Sequence, residues 1–129
     1  MFKLFLAICS VVCFLYQGCH GVNTISGNGS QAYTHVGDVF LNAQITVTDI
    51  RFEKASDPPR TKVHLMNNTG HELVIEVKMD FYDESGVKID NPWGWKPLTL
   101  ESNLDEWVEF TAPNKNAASY RLAIQYAGK

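Results

Sequence analysis

The sequence predicts an all-β protein, an immunoglobulin-like antiparallel β-sandwich of about seven strands. Three observations predict this fold. Short runs rich in Val, Ile, Thr and aromatic residues alternate with turn signals from residue 39 to the end of the chain. No window of helical length shows a 3.6-residue apolar period. One run, Leu73–Tyr82, alternates apolar and polar residues along its whole length, as a strand with one buried face does.

The earlier runs give weaker signals of the same kind. In the first run, residues 44–52, the apolar residues change parity between Val47 and Ile50. This change predicts a β-bulge or a strand that moves from one sheet to the other. The second run, Lys62–Met66, is closed by residues 67–70, whose Asn, Thr and Gly favour a turn.

The later runs complete the predicted sandwich. Gly86 is free to take a positive φ, so it predicts a tight turn after Leu73–Tyr82, with Val87–Ile89 as the returning strand of a hairpin. The remaining runs are Trp95–Leu100, Glu106–Ala112 and Ser119–Tyr126.

The N-terminus has the pattern of a lipoprotein signal peptide, residues 1–18. Lys3 precedes an apolar run, Leu4–Leu15, that is too short to span a bilayer, which takes roughly 20 helical residues. Gly18 and Cys19 then resemble a lipobox, in which a small residue precedes the cysteine that becomes lipidated. An ordinary secreted protein with a lone thiol at Cys19 is the alternative.

Residues 19–38 are rich in Gly, Asn, Ser and Thr, so we expect a lipidated N-terminus and a flexible tether there, with the β-sandwich domain at 39–129. Three acyl chains on Cys19 would anchor the protein stably, where one chain is marginal. His20 follows the cysteine, and lipoproteins without Asp at that position are generally sent to the outer membrane. We therefore expect an outer-membrane lipoprotein whose domain faces the periplasm.

Charge argues against a nucleic-acid partner. The chain has 11 Lys and Arg against 14 Asp and Glu, and removing residues 1–18 removes only Lys3, which leaves 10 against 14 and a net charge of −4. No basic run or stripe is present in the sequence.

Four stretches together resemble the YcfL family (DUF1425) of small bacterial outer-membrane lipoproteins. They are Asn67-Asn68, Phe81-Tyr82-Asp83 with Gly86, Trp95–Leu100, and Ala112-Pro113 followed by Ala117–Leu122. The resemblance implies a lipid-anchored β-sandwich in the periplasm and no catalytic residue. Some family members are encoded beside lipoprotein activators of peptidoglycan synthases, which implies cell-wall synthesis machinery as a possible partner.

No catalytic residue, cofactor or metal site is predicted. His64 and His71 flank the turn at 67–70, but a zinc site needs three or four converging ligands. Asp80 falls on the polar face of its strand, and Asp83 and Glu84 open a turn, so a structural role is favoured for these carboxylates. The sequence also lacks nucleophile and phosphate-binding motifs.

The segment 91–97 holds the candidate binding residues. Trp93 and Trp95 lie two apart, so on an extended chain they point the same way, and Tyr82 is a possible third member. If this face is open, the pair forms an aromatic platform; if it is closed, the pair belongs to the core. The sequence thus predicts a non-enzymatic adaptor for another envelope protein, with a peptidoglycan- or glycan-binding module as the alternative.

Overall fold

The computed structural model describes residues 21–28 and 32–127, and nearly all of its regular structure is β. The elements in chain order are β1 (Asn23–Gly27), β2 (Ala32–His35), α1 (Val39–Gln44), β3 (Ile45–Glu53), β4 (Arg60–Asn67), β5 (Leu73–Tyr82), β6 (Lys96–Leu100), β7 (Asp105–Thr111) and β8 (Ser119–Tyr126). They form two antiparallel sheets packed face to face, so the predicted sandwich is confirmed. Residues 1–18, which we predict to be a signal peptide, and Cys19, the predicted lipidation position, lie outside the described residues.

One sheet has the strand order β2-β1-β8-β5-β6 and the other has the order β3-β4-β7. Consecutive strands β6 and β7 are edge strands of different sheets, and only residues 101–104 connect them. The edges of the two sheets therefore lie side by side at this margin of the sandwich.

The core lies between the sheets and follows the alternation of β5 and β8. Leu73, Ile75, Val77, Met79 and Phe81 are all buried, as the period of two predicts. Facing them are side chains of the smaller sheet and of α1, chiefly Leu41, Ile45, Val63, Leu65 and Val108. In β5 the exception to the alternation is Asp80. This residue belongs to the outer face of β5 but is buried, and its carboxylate lies 3.5 Å from the Lys88 ammonium.

The strand register defines two ends of the sandwich. Asn23 pairs with Ile124, and Ile124 pairs with Val77, whereas Gly27 lies opposite Tyr120. We call the end where β1 begins the leader end; it also carries α1 and the turns at 68–72 and 101–104. The opposite end, which carries the loops 54–59, 83–95 and 112–118, is the tryptophan end.

The prediction of a flexible tether over residues 19–38 is wrong for residues 23–27 and 32–35. β1 inserts between β8 and β2 in the larger sheet, and the side chain of Ile25 packs against the core. The apolar signal is weak because the strand NTISG offers a single large apolar residue. The folded domain therefore includes β1 and does not begin at residue 39.

A second element that the sequence did not predict is the helix α1. Asp38 caps it, because its Oδ1 accepts hydrogen bonds from the backbone N–H groups of Phe40 and Leu41 at 3.0 and 3.1 Å. Six residues are too few to show a helical period, so no apolar pattern predicted this helix. Within the described ranges, no helix is long and apolar enough to cross a membrane.

Two local predictions have different outcomes. The register of β3 against β4 shifts between Val47 and Asp49, which confirms the predicted bulge. The predicted returning segment Val87–Ile89 does run antiparallel to the end of β5, where Lys88 bridges Tyr82 and the N–H of Ile89 donates to the carbonyl of Phe81 at 2.8 Å, but it is too short to form a regular strand. The turn itself forms, with Gly86 at a φ of 78°.

Candidate functional site: a groove between two sheet edges

A groove of about 530 Å³ opens at the tryptophan end, between the segment 91–97 and the last residues of β7. The core side chains of Met79, Phe81 and Phe110 form its floor. β6 pairs with β5 only as far as Val77, and beyond that point β5 bonds the irregular segment 88–91 in place of a regular strand. The groove exists because the two sheets are incompletely closed here, and its volume is in the range of small ligand pockets, about 300–1,000 Å³.

Trp93 and Trp95 form one wall of the groove but have different surroundings. The side chain of Trp93 is 60% exposed, whereas Trp95 is partly buried. The ammonium nitrogen of Lys78 lies 4.9 Å from the ring centroid of Trp95, a cation–π contact that fixes this ring. The binding interpretation required an open face, and Trp93 meets that condition.

Asn91 holds the loop that carries Trp93. Its side-chain amide donates a hydrogen bond to the carbonyl of Met79 at 2.7 Å, and its Oδ1 accepts one from the N–H of Trp93 at 3.0 Å. The amide thereby replaces part of the missing strand pairing along β5 and positions the exposed indole. This is an Asx turn, which sequence reasoning can recognise from Asn followed by Pro.

Tyr82 lies apart from this wall. It is the last residue of β5, its carbonyl accepts a hydrogen bond from the N–H of Ala118 at 2.8 Å, and it does not line the groove. The structure therefore brings Trp93 and Trp95 to one groove and places Tyr82 outside it.

The opposite wall is the free edge of β7, which the sequence did not single out. The N–H of Ala112 donates to the carbonyl of Pro59 at 2.8 Å, so residue 112 directs its backbone groups toward β4. Backbone direction alternates along an antiparallel strand, and the β4–β7 register is unbroken. The N–H and C=O groups of Trp107, Glu109 and Thr111 therefore point to the side where no described strand pairs with β7.

The other edges of the sandwich are less suited to accept a strand. Pro97 in β6 has no N–H to donate, and β3 has the bulge between Val47 and Asp49. The edge strand β2 has four residues, whereas β7 has seven with neither a proline nor a bulge. β7 is thus the long regular edge of the described fold, and it borders the groove.

Charged side chains cover the outer face of the smaller sheet next to β7. Arg60 bonds Glu53 and also lies 3.5 Å from Glu109, and Lys62 lies 3.3 Å from Glu53. The hydrogen bond from Arg60 holds the pKa of the Glu53 carboxyl below its usual value. Arg60 is therefore already shared by two carboxylates, and Glu109 contributes negative charge at the rim of the groove.

The two histidines do not approach each other to form a site. Nε2 of His64 lies 2.8 Å from Asp105 Oδ2, Nδ1 faces the Thr48 hydroxyl, and the ring stacks on Trp107 with 4.6 Å between centroids. His71 instead lies with its Nδ1 3.0 Å from the carbonyl oxygen of Glu72. In the part of the chain that the structure describes, no group of three or more His, Cys, Asp or Glu could hold a metal ion.

The acidic residues near the turn have structural roles. Oδ1 of Asp83 accepts hydrogen bonds from the N–H groups of Ser85 and Val87 at 2.9 and 3.0 Å, which closes the turn after β5. Asp80 lies between Lys78 and Lys88. These contacts account for both carboxylates without a chemical role.

Comparison with solved structures identifies similar folds. A DUF1425 family member from Shewanella sp. is 18% identical, with a TM-score of 0.60 over 83% of this chain and 91% of that one. The Campylobacter jejuni protein Cj0090 is 15% identical, with a TM-score of 0.51 over 62% of this chain and 84% of that one. At such identities the likeness shows the fold alone.

No curated protein matches the sequence. A family model does match, over residues 32–126, and its description is "Protein of unknown function (DUF1425)". The match covers β2 through β8, which is most of the chain and the whole of the groove. This chain belongs to the DUF1425 family.

Proposed function

We propose that this protein is a non-enzymatic, lipid-anchored adaptor that binds an extended segment of another cell-envelope protein at the groove. The observation that carries the proposal is the juxtaposition of an exposed indole, Trp93, with the free edge of β7 across one apolar groove. Such a pair offers both components of strand addition, which are backbone hydrogen bonds for affinity and a pocket for side-chain specificity.

The proposed partner segment lies along β7 as a fourth strand of the smaller sheet. Its backbone pairs with the outward N–H and C=O groups of Glu109 and Thr111. One large apolar side chain enters the groove above Phe110 and packs against Trp93, because the floor is apolar and the indole is the exposed wall. Asp105, Glu106 and Glu109 give β7 an acidic character, which favours a partner segment with basic residues.

Lipidation at Cys19 and export to the periplasmic face of the outer membrane are part of the proposal. The apolar run before Gly18-Cys19 supports them, and Cys9 and Cys13 would leave with the signal peptide. Cys19→Ser should abolish metabolic labelling with palmitate and release the protein from the membrane fraction. Unchanged labelling would rule out the anchor.

In-cell photo-crosslinking tests the adaptor role. A photo-reactive amino acid in place of Asn114, an exposed residue just beyond β7, leaves the groove intact and should capture a discrete envelope protein that mass spectrometry identifies. Trp93→Ala should reduce the capture because it removes the exposed wall. Capture that persists unchanged in Trp93→Ala would contradict the proposed groove.

A matched pair of variants isolates the backbone contribution of β7. Thr111→Pro removes an outward N–H without removing a hydrogen bond to β4, whereas Thr111→Ala keeps that N–H. Strand addition predicts that capture is lost in Thr111→Pro and retained in Thr111→Ala, with the folded state of each checked by circular dichroism. Equal capture by the two variants would exclude strand addition at this position.

The exposure of Trp93 also favours a second candidate, a peptidoglycan- or glycan-binding module, because an exposed indole can stack on a sugar ring. Purified sacculi would then deplete the protein from solution, and Trp93→Ala would prevent depletion. Thr111→Pro and Thr111→Ala would behave alike in that assay, since sugar stacking does not require the edge of β7.

A further inference from the structure

We infer that an apolar patch at the leader end, formed by Val36, Val39 and Phe40, inserts into the lipid bilayer beside the anchored N-terminus. The inference rests on the proposed lipidation of Cys19. It adds a second membrane contact and fixes the orientation of the domain, with the leader end at the membrane and the groove turned away from it.

The start of α1 is the reverse of an ordinary surface helix, because its apolar side chains face outward and its polar capping residue is buried. Val39 and Phe40 are 69% and 61% exposed, and Val36 is 37% exposed, whereas the polar capping residue Asp38 is 1% exposed. Leu41 is the residue of α1 that is buried in the core. Three neighbouring apolar side chains facing outward are unfavourable in water and favourable at an apolar interface.

The helix is held against the segment that leads from the lipidation position. Oδ1 of Asn23 accepts hydrogen bonds from the N–H groups of Gly37 and Asp38 at 2.8 and 2.7 Å, and its amide donates to the Asp38 carbonyl at 3.1 Å. The start of β1 and the start of α1 are thereby one unit. Anchoring the chain before residue 23 at the membrane therefore also places the patch close to the membrane.

Two glycines allow the backbone of residues 21–22 to contact the backbone of Gly37, which lies between the patch residues Val36 and Val39. A Cβ on Gly21 would lie 2.3 Å from the carbonyl oxygen of Gly37, and a Cβ on Gly37 would lie 2.6 Å from that of Val22. Neither position therefore accepts a side chain without a backbone shift. Gly37 is the direct neighbour in sequence of Asp38 and is one residue after Val36.

The short chain between Cys19 and Gly21 limits how far the patch can lie from the bilayer. Cys19 precedes Gly21 by two residues, which span at most about 7 Å. Acyl chains on Cys19 lie in the membrane, so Gly37 and its apolar neighbours lie within reach of the interface, where amphipathic segments bury side chains about 5–10 Å deep. The patch itself carries no charge, and the nearest acid, Asp38, is buried and used in capping.

This arrangement determines what the groove can reach. The patch is bonded to the start of β1, whereas the groove lies beside β6, and the strands β8 and β5 separate β1 from β6 in the larger sheet. With the patch at the bilayer, the groove opens to the aqueous compartment on the side of the sheet away from it. The partner is then a protein segment presented in the aqueous compartment, not one embedded in the bilayer.

The test compares single labels at the two ends of the lipidated full-length protein, in vesicles of phosphatidylethanolamine and phosphatidylglycerol. Phe40→Cys and Ser85→Cys each provide one free thiol for an environment-sensitive fluorophore, and both positions are exposed. We expect blue-shifted emission at position 40 and quenching by nitroxide-bearing lipids that is several-fold stronger than at position 85.

The experiment distinguishes a failure of the inserted patch from a failure of the lipid anchor. If the protein floats with the vesicles but the labels at 40 and 85 show the same aqueous emission and quenching, the inserted patch is wrong and the anchor stands. If the protein does not float with the vesicles, the anchor fails and the inference fails with it. Circular dichroism of both labelled variants verifies that the fold is intact.

Discussion

The two ends of the sandwich both expose large apolar side chains, but they hold them in different ways. At the leader end, Asn23, Asp38 and Asn67 use buried or half-buried polar groups to tie α1 and the turns to the sheets. At the tryptophan end, Asn91 alone positions Trp93 through its side chain, and the neighbouring groove remains open to solvent. The difference is that buried polar side chains join the segments at the leader end, whereas an open groove separates the sheet edges at the tryptophan end.

The largest expected effect is at Asn67, which joins the two sheets at the leader end. Its fully buried side chain donates to the carbonyls of His71 and Leu100 and accepts from the N–H of Thr69. Asn67→Ala removes these three hydrogen bonds from a fully buried position, so we expect the free energy of unfolding to fall by about 2–4 kcal/mol in urea titrations. Asn91→Ala, at the solvent-accessible tryptophan end, should cost about 1 kcal/mol. Equal losses of stability in Asn67→Ala and Asn91→Ala would show that the two ends of the sandwich do not differ in this way.

Glycine substitutions compare how tightly the backbone is packed at the two ends of the sandwich. Gly37→Ala forces its new Cβ into the carbonyl of Val22, so we expect a loss of about 1–3 kcal/mol in the free energy of unfolding. Gly94→Ala is the matched control at the tryptophan end, because its Cβ would meet nothing within 4 Å. A neutral Gly37→Ala would show that the leading segment does not pack as described.

Tryptophan substitutions separate binding from stability at the groove. Trp93→Ala should change the free energy of unfolding by less than about 0.5 kcal/mol, because the side chain is mostly exposed. Trp95→Ala should cost about 1 kcal/mol, because this ring is partly buried and contacts Lys78. Thermal unfolding followed by circular dichroism measures both, and a larger loss in Trp93→Ala would place that indole in the core.

The smallest effect concerns the pH dependence of stability at the outer face of the smaller sheet. Because Arg60 lowers the pKa of Glu53 in the folded state, the ion pair stabilises the fold above pH 4.5, the usual value of this carboxyl. That contribution is lost as the pH falls through the lower folded-state pKa. Glu53→Gln should therefore weaken the protein slightly at neutral pH and show a smaller further loss on acidification, as measured by urea unfolding at several pH values.

A control on an exposed carboxylate makes this comparison specific. Glu84 lies 3.7 Å from Lys54 with most of its side chain in solvent, so Glu84→Gln removes an exposed ion pair that contributes little to stability. If Glu53→Gln and Glu84→Gln give the same profile, the pairing of Glu53 with Arg60 does not contribute to acid sensitivity.

Sequence patterns predicted the strands that carry their own periodicity. The alternation in β5 and β8 and the change of parity in β3 depend on neighbouring residues, so they are readable locally. β1 was missed because its place in the sheet comes from pairing with β8 at the other end of the chain. The local composition of β1, polar and next to glycines, is equally typical of a linker.

Only one of the two walls of the groove could be predicted from the sequence. Trp93 and Trp95 stand out in the sequence because two tryptophans between prolines are unusual, whereas the exposure of Trp93 is a property of the folded protein. The role of β7 had no sequence signal. Whether a strand is central or at an edge depends on which strands pair with it, and that is a property of the whole sheet.

The sequence by itself determined the all-β class, the apolar face of each long strand and the residues that resemble a lipidation signal. These follow from side-chain chemistry and spacing along the chain. Tertiary structure alone decided that β1 joins the sheet, that α1 turns Val39 and Phe40 outward, and that the edges of β6 and β7 leave a groove. The physical reason is that burial and strand pairing depend on contacts between distant segments, which no local pattern contains.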